Sequence, residues 1–418
     1  MILNRYFTII FLLLISSCSN FLTWHLDRGI HRQANLENNE SSNKILDNNV
    51  VSKVNITVTP MWSKSVNSGI KGNSAYLHIK EINNILYTID TDGLLSAIDL
   101  TSGEIKWSVT TNREISSGLS IVNNSICLGT ISAKLICHKI DSLASNKHTP
   151  LITSLANFTN YSEYPADVDI DLITELAAPI ISINNLFLLK LDNDDLYLIN
   201  PNDGKVIWKS ESQNIPLRTK GSSKPLYLDN TVFIARDNGS ISSYSALDGS
   251  LNWFTIISSR SGRNDLESQR DAEMQINIDN DKLYYGHFQG ELTALDRNTG
   301  NIIWTSPFSF INDVIIKNNS IYGSTSDKKL VSIDQASGFL NWKSKVSSEQ
   351  FTQPFIIEDL VMAFTTKGTL VAFKRDGTNI YEEKFDLNIH PQTKFILNGN
   401  KLYFQTLDGD IVHFVITI

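Results

Sequence analysis

Short alternating apolar and polar runs, each closed by a Gly- or Asn-bearing turn, fill the chain from about residue 53 to its end. Residues 274–305 give the unit. The alternation predicts an inner strand near Met274–Ile278, a strand over Leu283–Phe288, a turn at Gln289-Gly290 and a strand over Leu292–Asp296. A second turn at Asn298-Thr299-Gly300 then leads into an outer strand over Ile302–Thr305. Period-two patterning broken by Gly turns reads as antiparallel hairpins.

The unit carries a marker: a small apolar run, Asp or Asn, Gly, a few residues, then Trp. It runs from Ala97 through Asp99 and Gly103 to Trp107, and returns ending at Trp208, Trp253, Trp304 and Trp342. From Trp62 the steps are 45, 101, 45, 51 and 38 residues, the 101 being close to two periods with one Trp missing. A strand-built period in the forties predicts a β-propeller. Trp-position strands fall at Trp62, Trp107, about Leu151, Trp208, Trp253, Trp304, Trp342 and Tyr381, so the count is eight four-stranded blades. The last segment supplies three strands, at Thr393–Leu397, Lys401–Thr406 and Asp410–Ile416. The lone strand around Trp62 is therefore expected to complete it, because an open ring would leave sheet edges unpaired. The Trp side chains are expected to fill space between blades. Gly103, Gly204, Gly249, Gly300 and Gly338 supply the positive φ their turns need.

Before residue 53 the pattern changes. Arg5 precedes an apolar run, Tyr6–Ile15, too short for a permanent membrane span, and the run ends Ile15-Ser16-Ser17-Cys18. This resembles the bacterial lipobox, whose Cys is acylated and becomes the new N-terminus; Ser19 in place of Asp implies the outer membrane. Residues 19–52 are polar and Asn-rich, without strand or helix period, and read as a tether. The expected organisation is a lipoprotein signal peptide at 1–17, a lipidated tether at 18–52 and a propeller at 53–418.

Composition narrows the chemistry. A net charge of −8 argues against nucleic acid as a partner. Three cysteines do not make a disulfide scaffold. Cys127 and Cys137 flank a turn near Ser132; a cross-strand disulfide and a pair of buried thiols both remain open. The stretch 151–179 is longer than a blade connection needs and carries Asp167, Asp169 and Asp171. It lacks the Gly and the downstream Glu of a Ca²⁺ loop, so a solvated acidic loop is expected, as is a plain hairpin turn at Asp192, Asp194 and Asp195. The eight histidines have no metal-ligand spacing, and His287 reads as a turn residue. No catalytic constellation, metal site or cofactor site emerges.

The Trp-bearing repeats resemble the PQQ-type propeller superfamily. With the lipobox, they resemble within it the BamB family of outer-membrane assembly lipoproteins. That family carries a segment of the form Leu-x-Leu-Arg-Gly-x-Ser-x-Pro after a Trp strand. Here Gly221, Ser223 and Pro225 match its second half. Upstream, Leu217 and Lys220 match without a gap, or Ile215, Leu217 and Arg218 with a two-residue insertion. The family's Asp-x-Asp appears as Asp271-Ala272-Glu273. The resemblance implies that these residues dock on the periplasmic domains of BamA. It implies a non-catalytic scaffold, anchored in the outer membrane, that assists folding and insertion of unfolded β-barrel proteins. The alternatives are a PQQ-dependent dehydrogenase-like enzyme and a periplasmic ligand-binding propeller. Against the enzyme stand the missing Cys-Cys pair and the missing extra length that such enzymes use around the quinone.

Overall fold

The computed structural model describes residues 55–67, 69, 79–145, 166–212, 223–258, 274–287 and 289–418. Eight four-stranded antiparallel sheets stand in a ring, an eight-bladed β-propeller. Blade 1 is β2 (Lys80–Ile82), β3 (Ile85–Ile89), β4 (Leu94–Asp99) and β5 (Ile105–Thr110), and blades 2 to 7 repeat that order. Blade 8 takes β30 (Ile396–Asn398), β31 (Lys401–Gln405) and β32 (Asp410–Thr417) from the C-terminus, and its outer strand, β1 (Thr57–Ser65), from the N-terminal side. Thr57 pairs with Thr417 and Ser65 with Asp410, so the ring closes as the hydrophobic pattern predicts. A buried triad seals the junction: Asn67 donates to Thr88, Thr88 to Gln405, and Gln405 back to Asn67.

Two kinds of turn set the register. The first hairpins of several blades pivot on paired left-handed residues: Asn83-Asn84, Asn123-Asn124, Asn184-Asn185, Asp229-Asn230 and Asn318-Asn319. Two consecutive positive φ values make the type I′ turn whose twist suits a tight hairpin, and Asn tolerates them best after Gly. The third turns are built on a carboxylate. Asp99 Oδ1 accepts the N–H groups of Thr101 and Ser102 at 3.0 Å, while Gly103, at φ 71°, closes the turn onto the Asp99 carbonyl. The Ser102 N–H, helped by Lys106, pulls the Asp99 carboxyl down to about 2. Asp296 and Asp334 repeat the device.

These turns receive the tryptophans. A β-carbon at Gly103 would stand 2.7 Å from the ring of Trp62; Gly249 has the same relation to Trp208, and Gly300 and Gly338, at 2.5 Å, to Trp253 and Trp304. Each Trp therefore lies on the glycine of the next blade. Trp208, Trp253, Trp304 and Trp342 also donate their indole N–H to a carbonyl there, of Ala246, Arg297, Gln335 and Arg375. In blades 1, 4, 5 and 6 the Trp faces an aromatic residue across a smaller one: Tyr87/Ala97/Trp107, Phe233/Ser243/Trp253, Tyr284/Ala294/Trp304 and Tyr322/Ser332/Trp342. The ring centroids in these four blades lie 5.8 to 6.2 Å apart. Aromatic pairs at that separation add to the burial itself.

Blade 2 departs from the expected reading. Its outer strand is β9 (Val168–Asp171), not a strand near Leu151, which lies outside the described residues. Val168 sits opposite Cys137 where a Trp would be, and Ile170 covers Gly204 of blade 3. A short helix, α1 (Ile140–Ser145), follows its third strand. Trp107 of blade 1 shares a core with Ile140 and Leu143 of that helix instead of lying on a glycine turn. Cys127 and Cys137 form a disulfide between β7 (Ser125–Gly129) and β8 (Lys134–Lys139). The acidic run is strand rather than loop: Asp169 pairs with Lys134 at 2.8 Å and Arg113 at 3.4 Å, and Asp171 with Lys134 at 3.0 Å.

Candidate partner-docking face

In each blade the second hairpin and the exit from the outer strand lie on one face of the ring. Along the chain residues 213–222 fall between blades 3 and 4, and 259–273 between blades 4 and 5. Ile215, Leu217, Arg218, Lys220, Asp271 and Glu273 fall in these two segments and lie outside the described residues. Their ends are described and pinned. Ser212 N–H donates to Asp195 Oδ1 at 2.7 Å, and the N–H groups of Ile257 and Ser258 reach the Gly239 carbonyl. At the far ends, Lys224 N–H donates to Gln275 Oε1 at 3.1 Å and Gln275 N–H to Asp313 Oδ1 at 2.8 Å. Met274 is buried. The two candidate segments thus spring from neighbouring blade junctions, and the backbones that follow them are tied to each other.

Beneath these junctions lies a buried charged cluster that sequence reasoning passed over. Lys190 and Asp194, each 1 % exposed, pair at 3.1 Å, and Lys190 also donates to the Ala235 carbonyl at 3.2 Å. Asp194 Oδ2 accepts the Asp237 N–H at 2.6 Å. Arg236 donates to the Asp194 carbonyl, to Ser210 Oγ at 3.0 Å and to the Tyr244 hydroxyl at 3.3 Å. His287 Nε2 meets the Arg236 carbonyl at 2.9 Å, with its ring edge-on to Tyr285. So Asp194 is more than a turn residue, and His287, whose carbonyl accepts the Gly290 N–H of its turn as expected, is also wholly buried. The cluster spans blades 3, 4 and 5. Buried pairs of this kind add little net stability but fix relative position, because breaking one strands a charge. Its signal in the sequence is an ionisable residue closing an apolar strand, as Lys190 closes Leu186–Lys190 and Arg236 closes Thr231–Arg236.

The axis does not fit a quinone–calcium centre. Among the described residues no three His, Cys, Asp or Glu side chains are grouped to hold a metal ion. Asp313, at the channel mouth, is already engaged by Lys394.

The class that the fold defines is the eight-bladed β-propeller of PQQ-like repeats. The family model described as outer membrane protein assembly factor BamB matches residues 91–343 and 324–417. The chain belongs to that family. It is 24% identical over 371 residues to outer membrane protein assembly factor BamB of Escherichia coli (strain K12), covering 85% of this chain and 88% of the relative. With the Yersinia pestis protein of the same name it shares 22% over 361 residues, again 85% and 88%. The crystal structure of BamB from Moraxella catarrhalis superposes with a TM-score of 0.70 at 18% identity, covering 86% of this chain and all of that one. A quinohemoprotein alcohol dehydrogenase from Comamonas testosteroni superposes at 0.64 with 10% identity, covering 90% and 79%, a likeness of fold alone. The family relatives are named for assembly rather than for a reaction.

Proposed function

We propose that the chain is a non-catalytic scaffold of outer-membrane β-barrel assembly, held at the membrane by acylated Cys18 and docked on BamA periplasmic domains through residues 213–222 and 259–273. Family membership supports the general role. The observation that supports the docking reading is that the described residues flanking both segments lie at adjacent junctions, over a buried ion cluster that joins blades 3 to 5. Loops on a rigid frame present their side chains at fixed positions, which suits recognition. Leu217 with Arg218 supplies an apolar anchor beside a cation, and Asp271 with Glu273 an acidic patch that steers a basic partner. Pull-down of the full chain with BamA periplasmic domains is the test. Asp271→Lys with Glu273→Lys, and separately Arg218→Glu, are expected to weaken capture at least about tenfold. Unchanged affinity in both variants removes this face from the interface.

Client contact is assigned to the outer strands. On β17 (Leu251–Ile256) and β21 (Ile302–Ser306) no residue is charged, and Leu251, Phe254, Ile256, Ile302 and Ile303 are exposed. Elsewhere the edges carry charge or proline: Lys106, Asp169 and Asp171, Glu382 and Glu383, and Pro60 with Lys64. Neutral, apolar edges are the ones able to add a partner strand. Photocrosslinkers at Phe254 and Ile302 should trap nascent barrel proteins, and those at Glu383 should not. No adduct at any outer strand refutes the assignment. Incubation with PQQ and Ca²⁺ tests the enzyme alternative, and a stoichiometric complex with dye-linked activity would replace the scaffold reading.

A further inference from the structure

The first strand of each blade lines the ring axis. In blades 4 to 8 the residue two places before that strand is Lys224, Gln275, Asp313, Gln353 and Lys394 in turn. These stand at the channel mouth on the docking face and form a bonded arc. Lys224 N–H reaches Gln275, Gln275 N–H reaches Asp313, and Lys394 Nζ binds both Asp313 Oδ2 and, at 3.2 Å, Gln353 Oε1. Lys80, the first residue of β2, completes the rim from blade 1.

The charges do not balance. Among the described residues of this rim, three ammonium groups stand with one carboxylate, and that carboxylate is held by Lys394. Among the described residues no carboxylate pairs with Lys80 or Lys224. All three lysines are partly buried. Burial first, then the Lys224 and Lys394 charges, draw Lys80 from 10.5 down to about 8. Beside Lys224, the hydroxyl of wholly buried Ser223 has no partner among the described residues. Like charges gathered in a concave, partly desolvated site are costly unless a counter-ion joins them, and such walls focus the field on an incoming anion.

We propose that this axial mouth binds a phosphate dianion between the ammonium groups of Lys80 and Lys224. Two uncompensated cations match a doubly charged oxyanion better than a carboxylate. Lysine binds phosphate as a point charge, so no planar fork is required. The ligand is inorganic phosphate or a soluble phosphomonoester, or else the phosphomonoester headgroup of a lipid; the chemistry at the lysines is the same. The site is independent of the BamA reading, since it uses neither candidate segment.

Calorimetry of the full chain with inorganic phosphate at pH 8, in two buffers of different ionisation enthalpy, tests it. One saturable site is expected, with uptake of up to about half a proton as Lys80 regains its charge. Acetate should bind at least about tenfold more weakly. Lys80→Gln and Lys224→Gln should each lower phosphate affinity about tenfold or more, and the first should abolish the proton uptake. Asp313→Asn keeps an acceptor for Gln275 and releases Lys394, so it should tighten binding severalfold. Vesicles containing phosphatidic acid that compete with phosphate identify the lipid source, and failure to compete identifies the soluble one. Absence of saturable binding by the unmodified protein, or affinity unmoved in both lysine variants, overturns the proposal. If the lysine variants do not fold, phosphate binding without proton uptake, or no gain in Asp313→Asn, overturns it equally.

Discussion

Blade 4 and blade 2 share a register but hold together by different chemistry. In blade 4, Phe233, Ser243 and Trp253 line up across three strands; Trp253 reaches Gly300 and the Arg297 carbonyl of blade 5, and Gly249 receives Trp208 from blade 3. In blade 2 the same three positions are Cys127, Cys137 and Val168. The aromatic stack is replaced by a covalent bond, and neither joint to a neighbour has Trp on glycine. The difference separates two jobs that the Trp does at once. It closes a blade's own sheet, and it fastens that sheet to the next. A disulfide can take over the first job only. The second falls in blade 2 to apolar contacts, Ile170 on Gly204 and Trp107 among Ile140 and Leu143.

The comparison breaks most sharply at the joints. Trp253→Ala removes a buried indole, its hydrogen bond and its seat on Gly300, and should cost about 3–5 kcal/mol. Ile170→Ala, at the corresponding joint after blade 2, trims a half-buried side chain and should cost about 1–2 kcal/mol. Urea unfolding midpoints check both. Equal losses would mean that the two joints are energetically alike and that the indole is not a special fastener.

The disulfide comes next. Its two cysteines are ten residues apart, so its removal restores the freedom of a short loop, about 3 kcal/mol at most. Cys127→Ser with Cys137→Ser should therefore lower stability by about 2–3 kcal/mol. The loss should concentrate in blade 2, read as faster amide exchange in Ser125–Lys139 while exchange in blade 4 is unchanged. Uniform exchange across the ring would show that blade 2 does not depend on the bond more than its neighbours do.

The fold was legible because the same pattern repeats. Trp spacing and alternating strands are local signals, and they place the ring and its closure by the N-terminal strand. Blade 2 was misplaced for a physical reason. The marker used was a Trp that the blade lacks, whereas Asn123-Asn124, a type I′ pair shared with four other blades, was present to locate it. Asp169 and Asp171 looked like a loop because charges alternate outward on an exposed outer strand. The proposed docking face was legible only in part. Its loop residues came from family resemblance, while the Lys190–Asp194–Arg236 platform depends on three blades meeting, which no local pattern encodes. The axial lysines were invisible for the same reason: Lys80, Lys224 and Lys394 lie far apart in sequence and come to one rim only in a closed ring.

Blade 8 offers a third solution and the smallest effect. There the middle residue is not small. His413 stacks on Tyr403 at 4.2 Å and meets Trp62 edge-on at 5.5 Å, and neither ring nitrogen has a hydrogen-bond partner among the described residues. Burial, helped by the Lys401 charge, lowers His413 to about 4. In the unfolded chain the group titrates near 6.5, so between the two values the unfolded state holds the extra proton and stability must rise with pH. The contribution is whole above about pH 6.5 and is lost as pH falls toward 4, amounting to about 2 kcal/mol by pH 5. The turn carboxylates do not mask it. Asp99, near 2, loses its contribution only below about pH 4. His413→Phe keeps the stack and removes the titration, so its stability should change by about 2 kcal/mol less between pH 7 and pH 5 than that of the unmodified protein. Parallel curves over that interval would mean that His413 gains a proton without disturbing the closing blade, and the junction would then be less tightly packed than Trp62, His413 and Tyr403 make it.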